Sequence, residues 1–390
     1  MNHVYLIGIH LGMSNLSAVL IDAKDGREIS NGSVSSDIIG NGENPISIRI
    51  QLISSLFKNS SILPSDVIGI GIATAKSLEP TIISNGKLIP EIADAIGFNR
   101  DIIVTANHID MQVSLLAVGI VESAKMLMIM GETTYNVILD NNNNPTQKLL
   151  GAVRTDVAPG YTCYEIEQSS VGDHFDWFVK NCVPESYYRE ASALEMTIHQ
   201  LLRSKAELQK VGESGLLALD WWNGNKGILK NENLSGMLLG MRLDTRPEEV
   251  YRALIEATAY GTRNIIEELR ENNVLVNELY ATGSISRKDP FMLQTYADVT
   301  NMDIRVSLTK YAPAYGVAMQ TAVDCGIYKN IQECKNVMGG VMTYVYKPIK
   351  ENVEAYDKLF SEYKKLHNYF GCGGNNIMQI LNGFKKKSDI

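Results

Sequence analysis

The sequence predicts an α/β fold built from two similar domains, and three observations lead there. The chain opens with two apolar runs, "VYLIGIH" and "SAVLIDA", on either side of a tight glycine turn, and the same grammar restarts at "KMLMIMGETT" followed by "YNVILD". Within the first copy, "DVIGIGIATA" is almost continuously apolar, as suits a strand buried on both faces. Between such runs lie stretches with apolar residues spaced by three and four, the pattern of helices that cover a sheet.

In order, the two opening runs are strands, and "GREISNGSV" is rich enough in β-formers for a third, edge-like strand. "PISIRIQLISSLFKN" has helical spacing after a proline start. The strand "DVIGIGIATA" follows, then a hairpin-like "TIISNGKLI" and a short helix. "DIIVTA" (101–106) is a second buried strand, and a helix begins near Asp110. In the second copy, "YNVILDNNNNPTQKLLGAV" reads as a hairpin whose polar tip, "DNNNNP", is a solvated loop. Residues from about 160 to 272 read as mostly helical. The strands "ELYATGS" and "DIRVS" return, and "PAYGVAMQTAVDCG" is a helix.

The chain has 390 residues, 45% of them hydrophobic and 21% charged, which allows two domains with sizeable cores. A net charge of −8 argues against a nucleic-acid partner, and the one basic cluster, "FKKKSD", reads as a solvated tail. No uninterrupted apolar stretch approaches membrane-spanning length, so no membrane partner is expected. Five cysteines without CxxC spacing and six scattered histidines point to a reduced, cytoplasmic protein with no structural metal site.

Two copies of a strand–turn–strand unit with crossover helices suggest two ribonuclease H-like domains around a nucleotide cleft, the architecture of the actin, sugar kinase and Hsp70 group. The likeness narrows beyond residue 160. "GYTCYEIEQSSVGDHFDWFVKNCVPESYY", "GESGLLALDWWNGNKGIL", "RPEEVYRALIEATAYGTRNIIEELRENNV" and "NELYATGSISRKDPFMLQTYADVTNMDIRVS" closely resemble the ribulokinases of the FGGY carbohydrate kinase family. The likeness covers roughly the last two thirds of the chain. It implies a truncated N-terminal-like domain over 1–122 and a C-terminal-like nucleotide domain over 123–340. A helical tail over 341–390 is expected to pack back on the first domain.

The resemblance implies ATP-dependent phosphoryl transfer to a ketopentose, with ATP and Mg²⁺ as cofactors, a reaction that depends on positioning and charge neutralisation. It carries the general base to Asp110, in "ANHIDMQV", where a plain helix cap is the competing reading. It carries phosphate contacts to Gly131, Thr133 and Thr134 of "GETT", with Glu132 in place of a neutral residue, and nucleotide contacts to Gly283, Ser284 and Gly316. At the first turn relatives read Asp-x-Gly-Thr, whereas this chain has His10, Leu11, Gly12 and Met13. Gly12 and Ser14 retain backbone and hydroxyl capacity there. Imidazole is a poor substitute for a carboxylate on Mg²⁺, so no metal ligand is assigned and His10 reads as a histidine filling a lost site. A long sugar-binding insertion of the family is also absent, since 25 residues (76–100) bridge "IGIGIATA" to "DIIVTA". Trp221 and Trp222 either face the old sugar site or anchor packing. Impaired sugar phosphorylation is therefore expected. The alternative is a catalytically inactive nucleotide-binding or regulatory subunit, a pseudokinase. The expected partners are a nucleotide, a small sugar, and a second copy or a kinase paralogue.

Overall fold

Alternation along β1 (Tyr5–Leu11) sends Ile7, Ile9 and Leu11 to one face and Leu6, Gly8 and His10 to the other, the period-two rule of a strand. Both faces are buried, so β1 must be central, and it is. The computed structural model describes residues 3–13, 15–35, 44–58, 60–75, 83–84, 87–99, 101–141, 153–158, 161–307, 309–339 and 342–388. The chain divides into two compact units, 1–122 with 307–343, and 123–306 with 344–390.

In the first unit β1 pairs with β2 (Asn15–Asp22), which pairs with β3 (Glu28–Ser35), and on its other side with β4 (Val67–Thr74). A small hairpin of β5 (Ile83–Ser84) and β6 (Lys87–Leu88) precedes β7 (Ile103–Ile109), which lies parallel to β4 at the sheet edge. Ile7, Ile9, Ile70 and Ile72 pack with Leu52, Ile53 and Ile92 of the helices Pro45–Ser55 and Pro90–Ile96. The opposite face takes the helices Asp110–Ala117, Ala312–Asp324 and Ile331–Met338, with a small-residue core of Ala117, Ala314, Ala318 and Ala322.

The helix Ala312–Asp324 was expected within the second domain, yet it belongs to the first unit. The reason is steric. A Cβ at Gly8 would stand 1.8 Å from the Ala314 carbonyl oxygen, and one at Gly71 2.2 Å from Thr321 Oγ1. Strands β1 and β4 are thus cut to receive this helix at backbone distance.

The second unit holds a seven-stranded mixed sheet. β8 (Lys125–Met130) and β9 (Thr134–Asp140) are antiparallel neighbours. β10 (Val153–Ala158) does not close a hairpin on β9, as its sequence suggests. β11 (Tyr161–Gln168) takes that place, leaving β10 at the edge beside β11. The polar tip at 142–152 lies outside the described residues. β12 (Leu217–Leu219) and β13 (Met237–Leu239) form a separate pair. Beyond β8 come β14 (Glu278–Thr282), β15 (Ile304–Ser307) and β16 (Met342–Tyr346). Met126, Met128 and Met130 pack under the helix Pro247–Glu271, whose apolar residues are buried along most of its length.

The C-terminal helix Lys350–Gly371 groups with this second unit, not with the first. Polar ties explain it. Asp298 Oδ1 accepts the Ile349 N–H at 2.8 Å and Oδ2 the Asn352 amide at 2.7 Å. Tyr356 donates to Glu256 at 3.0 Å beside the buried Arg252–Glu256 pair. Among the described residues no helix is long and apolar enough to cross a membrane.

Candidate active site

The first unit brings His10 and Asp110 together across 100 residues of sequence. β1 carries His10 on the face covered by the helix Asp110–Ala117, and β7 ends at Ile109, so the first helical residue arrives beside the imidazole. His10 Nε2 and Asp110 Oδ2 are 3.1 Å apart, with side chains 12% and 17% exposed. Asp110 Oδ1 accepts the Met111 N–H at 2.7 Å, and the Asp110 carbonyl accepts Ser114 Oγ at 2.7 Å. A carboxylate in the first helical turn is favoured by the helix dipole. The turn itself closes by Gly12 N–H donating to the Asn15 carbonyl at 3.0 Å. The imidazole lies where a Cβ at Gly12 would be, 2.6 Å from Cε1. Glycine here seats the ring. His10 therefore does more than fill space, because it holds the candidate base.

Met13 is 72% exposed, and Ser14 lies outside the described residues. Among the described residues the polar and exposed side chains at this turn are thus an imidazole engaged by a carboxylate, an exposed thioether and the exposed Asn15 amide. Mg²⁺ prefers several oxygen ligands, and this donor set does not suit it. Among the described residues no group of three or more His, Cys, Asp or Glu side chains is placed to hold a metal.

The second unit assembles the other turns. Gly131 to Thr134 link β8 to β9, and the Glu132 carbonyl accepts the Gly172 N–H at 2.8 Å, tying the turn to the start of the helix Asp173–Cys182. Gly283 has φ +104°, and a Cβ there would stand 2.3 Å from the Met130 carbonyl oxygen. Both the left-handed backbone and the close approach require glycine. The "GETT" and "TGS" turns therefore lie side by side, with Ser284 exposed at the start of the short helix Ser284–Lys288. The two threonines differ. Thr133 is half-buried, whereas Thr134 is fully buried with no hydrogen-bond partner for Oγ1. Gly316 lies with neither turn. A Cβ on it would be 1.8 Å from the Val113 carbonyl oxygen, so it lets the helix Ala312–Asp324 seat the helix that begins at Asp110.

One buried polar cluster has no counterpart in the sequence reading. Asp220 accepts from Gln168 Nε2 at 2.8 Å and from Tyr363 Oη at 3.0 Å, and Gln168 Oε1 accepts from Thr262 at 2.8 Å. Burial raises the Asp220 carboxyl to about 6 against these hydrogen bonds. Beside it is a cavity of about 20 Å³, room for a water, lined by Trp221, Asn225 and Asn264 among others. Trp221 is buried, its indole in edge contact with His367, and it serves as a packing anchor. The signal in sequence is "LDWW", in which Asp220 directly precedes the two tryptophans.

Two α/β units carrying glycine turns, one with a carboxylate at a helix start, define the fold class of the actin-like sugar kinases. Residues 126–325 match the model for the C-terminal domain of the FGGY family of carbohydrate kinases, and the chain belongs to that family. It is 48% identical over 304 residues to the ribulokinase of Bacillus licheniformis, covering 77% of this chain and 55% of that protein. The ribulokinase of Halalkalibacterium halodurans is 44% identical over 304 residues, 77% and 54% of the two chains. The match thus spans little more than half the length of these relatives. Among solved structures, ligand-bound xylulose kinase from Lactobacillus acidophilus has a TM-score of 0.75 at 13% identity, covering 94% of this chain and 98% of that one. Plasmodium falciparum glycerol kinase with ADP has a TM-score of 0.68 at 12% identity, covering 93% and 97%. At these identities the structures speak for the fold alone.

Proposed function

We propose that this chain is an ATP-dependent phosphotransferase of the ribulokinase type, with a capacity for ketopentose phosphorylation well below that of its longer relatives. The carrying observation is the His10–Asp110 pair at 3.1 Å, a proton-accepting pair at the start of a helix beside a glycine turn. The nucleotide phosphates are assigned to the backbone of Gly131 and Gly283, with Thr133 as hydroxyl donor and Gly12 and Ser14 on the first turn. The 25-residue bridge at 76–100 and the donor set at His10 and Met13 support the reduced capacity, because acceptor positioning and charge neutralisation both weaken. The same donor set supports a second reading, a nucleotide-binding regulatory subunit that turns over nothing, paired with a second copy or a kinase paralogue. The cytoplasm is the proposed compartment.

Calorimetric titration with ATP in the presence and absence of Mg²⁺, then ADP release across ketopentoses and polyols, tests both. Turnover that disappears in Asp110→Ala supports the kinase. Binding without turnover supports the regulatory subunit, and no binding at millimolar ATP rules out both.

A further inference from the structure

The candidate phosphate turn "GETT" is short, and its backbone is held from outside. Its last residue, Thr134, opens β9 and pairs with Met130 on one side and with Gln168, the last residue of β11, on the other. Gln168 is buried, and its side chain leaves the sheet toward the helix Pro247–Glu271. Nε2 donates to the Thr258 carbonyl at 2.7 Å and to Asp220 Oδ2 at 2.8 Å, and Oε1 accepts from Thr262 Oγ1 at 2.8 Å. The helix is cut to admit this contact. A Cβ on Gly261 would stand 2.4 Å from Gln168 Nε2 and 2.3 Å from Asp220 Oδ2. Beyond Gln168 the chain doubles back on the turn. Ser170 takes φ +63°, a left-handed backbone uncommon for serine, and its carbonyl accepts from His174 Nδ1. Gly172 then donates its N–H to the Glu132 carbonyl at 2.8 Å, and a Cβ on it would stand 2.9 Å from the Gly131 carbonyl oxygen. The segment 168–172 therefore grips the turn at Glu132 and at Thr134, and Gln168 ties that segment to the helix.

We propose that Gln168 is a positioning residue for ATP: through its bonds to Asp220 and to the helix Pro247–Glu271 it fixes the "GETT" turn in the shape that receives the phosphates. The assignment rests on the nucleotide contacts proposed above for Gly131 and Thr133. A turn that offers preorganised donors binds phosphate without paying for reordering, so loosening its anchor lowers affinity although no phosphate contact is removed.

The test compares the wild type with Gln168→Met, which keeps about the same volume and loses the polar bonds. Arg252→Met is the control, since the Arg252 bonds go to Glu256, Ala206, Gln209 and Tyr356 rather than to the turn. Each variant is used under conditions where tryptophan fluorescence shows it folded. Calorimetric titration should give an ATP affinity about 10-fold lower in Gln168→Met and unchanged in Arg252→Met. Without nucleotide, the amides of 131–135 and of Gly172 should exchange faster with solvent deuterium in Gln168→Met alone. Gln168→Glu combined with Asp220→Asn re-forms the contact with its donor on the other side. This pair should recover part of the ATP affinity lost in Gln168→Glu alone, and it carries the test if Gln168→Met does not fold. Wild-type affinity and exchange in Gln168→Met, or equal losses in Arg252→Met, would overturn the assignment and leave the kinase reading standing. Faster exchange with unchanged ATP affinity would overturn it too, because the turn would be held by Gln168 without receiving phosphate. No ATP binding by the wild type would remove the nucleotide reading, and this role with it.

Discussion

The second unit buries two titratable groups whose effects on stability run in opposite directions, and substituting Asp220 exposes one of them. Burial raises the Asp220 carboxyl from 3.8 to about 6. Between those values the folded chain holds a proton that the unfolded chain has lost, so stability falls as pH rises. The change is worth about 3 kcal/mol, fully present below pH 4 and gone above 6. His174 is displaced the other way. Burial lowers it from 6.5 to about 4, with only the Ser170 carbonyl as hydrogen-bond partner for Nδ1. Its contribution is present above pH 6.5 and lost as pH falls through about 4, again about 3 kcal/mol. The two slopes largely cancel in the wild type. In Asp220→Asn the His174 slope stands alone, so the stability of the variant relative to wild type should rise by about 3 kcal/mol between pH 4 and 7. All three tryptophans lie between 177 and 222, within the second unit, so urea unfolding followed by tryptophan fluorescence reports on it directly. The lost hydrogen bonds shift the whole curve but not its slope. Curves for wild type and variant that stay parallel from pH 4 to 7 would refute the reasoning.

Gly316→Ala forces a methyl to within 1.8 Å of the Val113 carbonyl, and should destabilise the first unit by about 1–3 kcal/mol while displacing Asp110, measured as a lower Tm and lower ADP release. Arg252→Met leaves Glu256 buried without its cation, 2.8 Å from where the guanidinium stood, and should cost about 3–5 kcal/mol in urea unfolding of the second unit. The double substitution His10→Asp with Met13→Thr should tighten ATP binding in Mg²⁺ relative to EDTA. Equal affinities in the two conditions would count against the first turn being an altered phosphate loop.

Much of this architecture is legible in local sequence. β1, β2, β4 and β8 are apolar runs bounded by turn residues, and they are found where those runs lie. β11 is harder because "YTCYEIEQ" interleaves glutamates with apolar residues, and the continuous burial of Thr162 through Ile166 on both faces needs the sheet to be seen. The pairing of β10 with β11 is non-local, and a polar tip between two apolar runs reads as a hairpin whichever strand lies alongside. At the candidate site, both His10 and Asp110 stand out by residue type, but their contact depends on register. His10 pairs with Ala73 and Ala73 with His108, and only that parallel ladder carries the start of the helix to the imidazole. Asp220 is similar, since Tyr363, its hydroxyl partner, is 143 residues away.

The insertion of the helix Ala312–Asp324 against Gly8 and Gly71 has a consequence for dividing the chain. A polypeptide cut at residue 122 would lack the helix that approaches its sheet at backbone distance over Gly8 and Gly71. The stretch that matches the family's C-terminal domain would in turn carry that helix away from its seat. Neither piece would hold all the segments of the first unit. The natural dissection is a non-covalent one: a 1–122 fragment mixed with a synthetic 307–343 peptide, which should reconstitute the first unit in trans and provide a split reporter of its assembly.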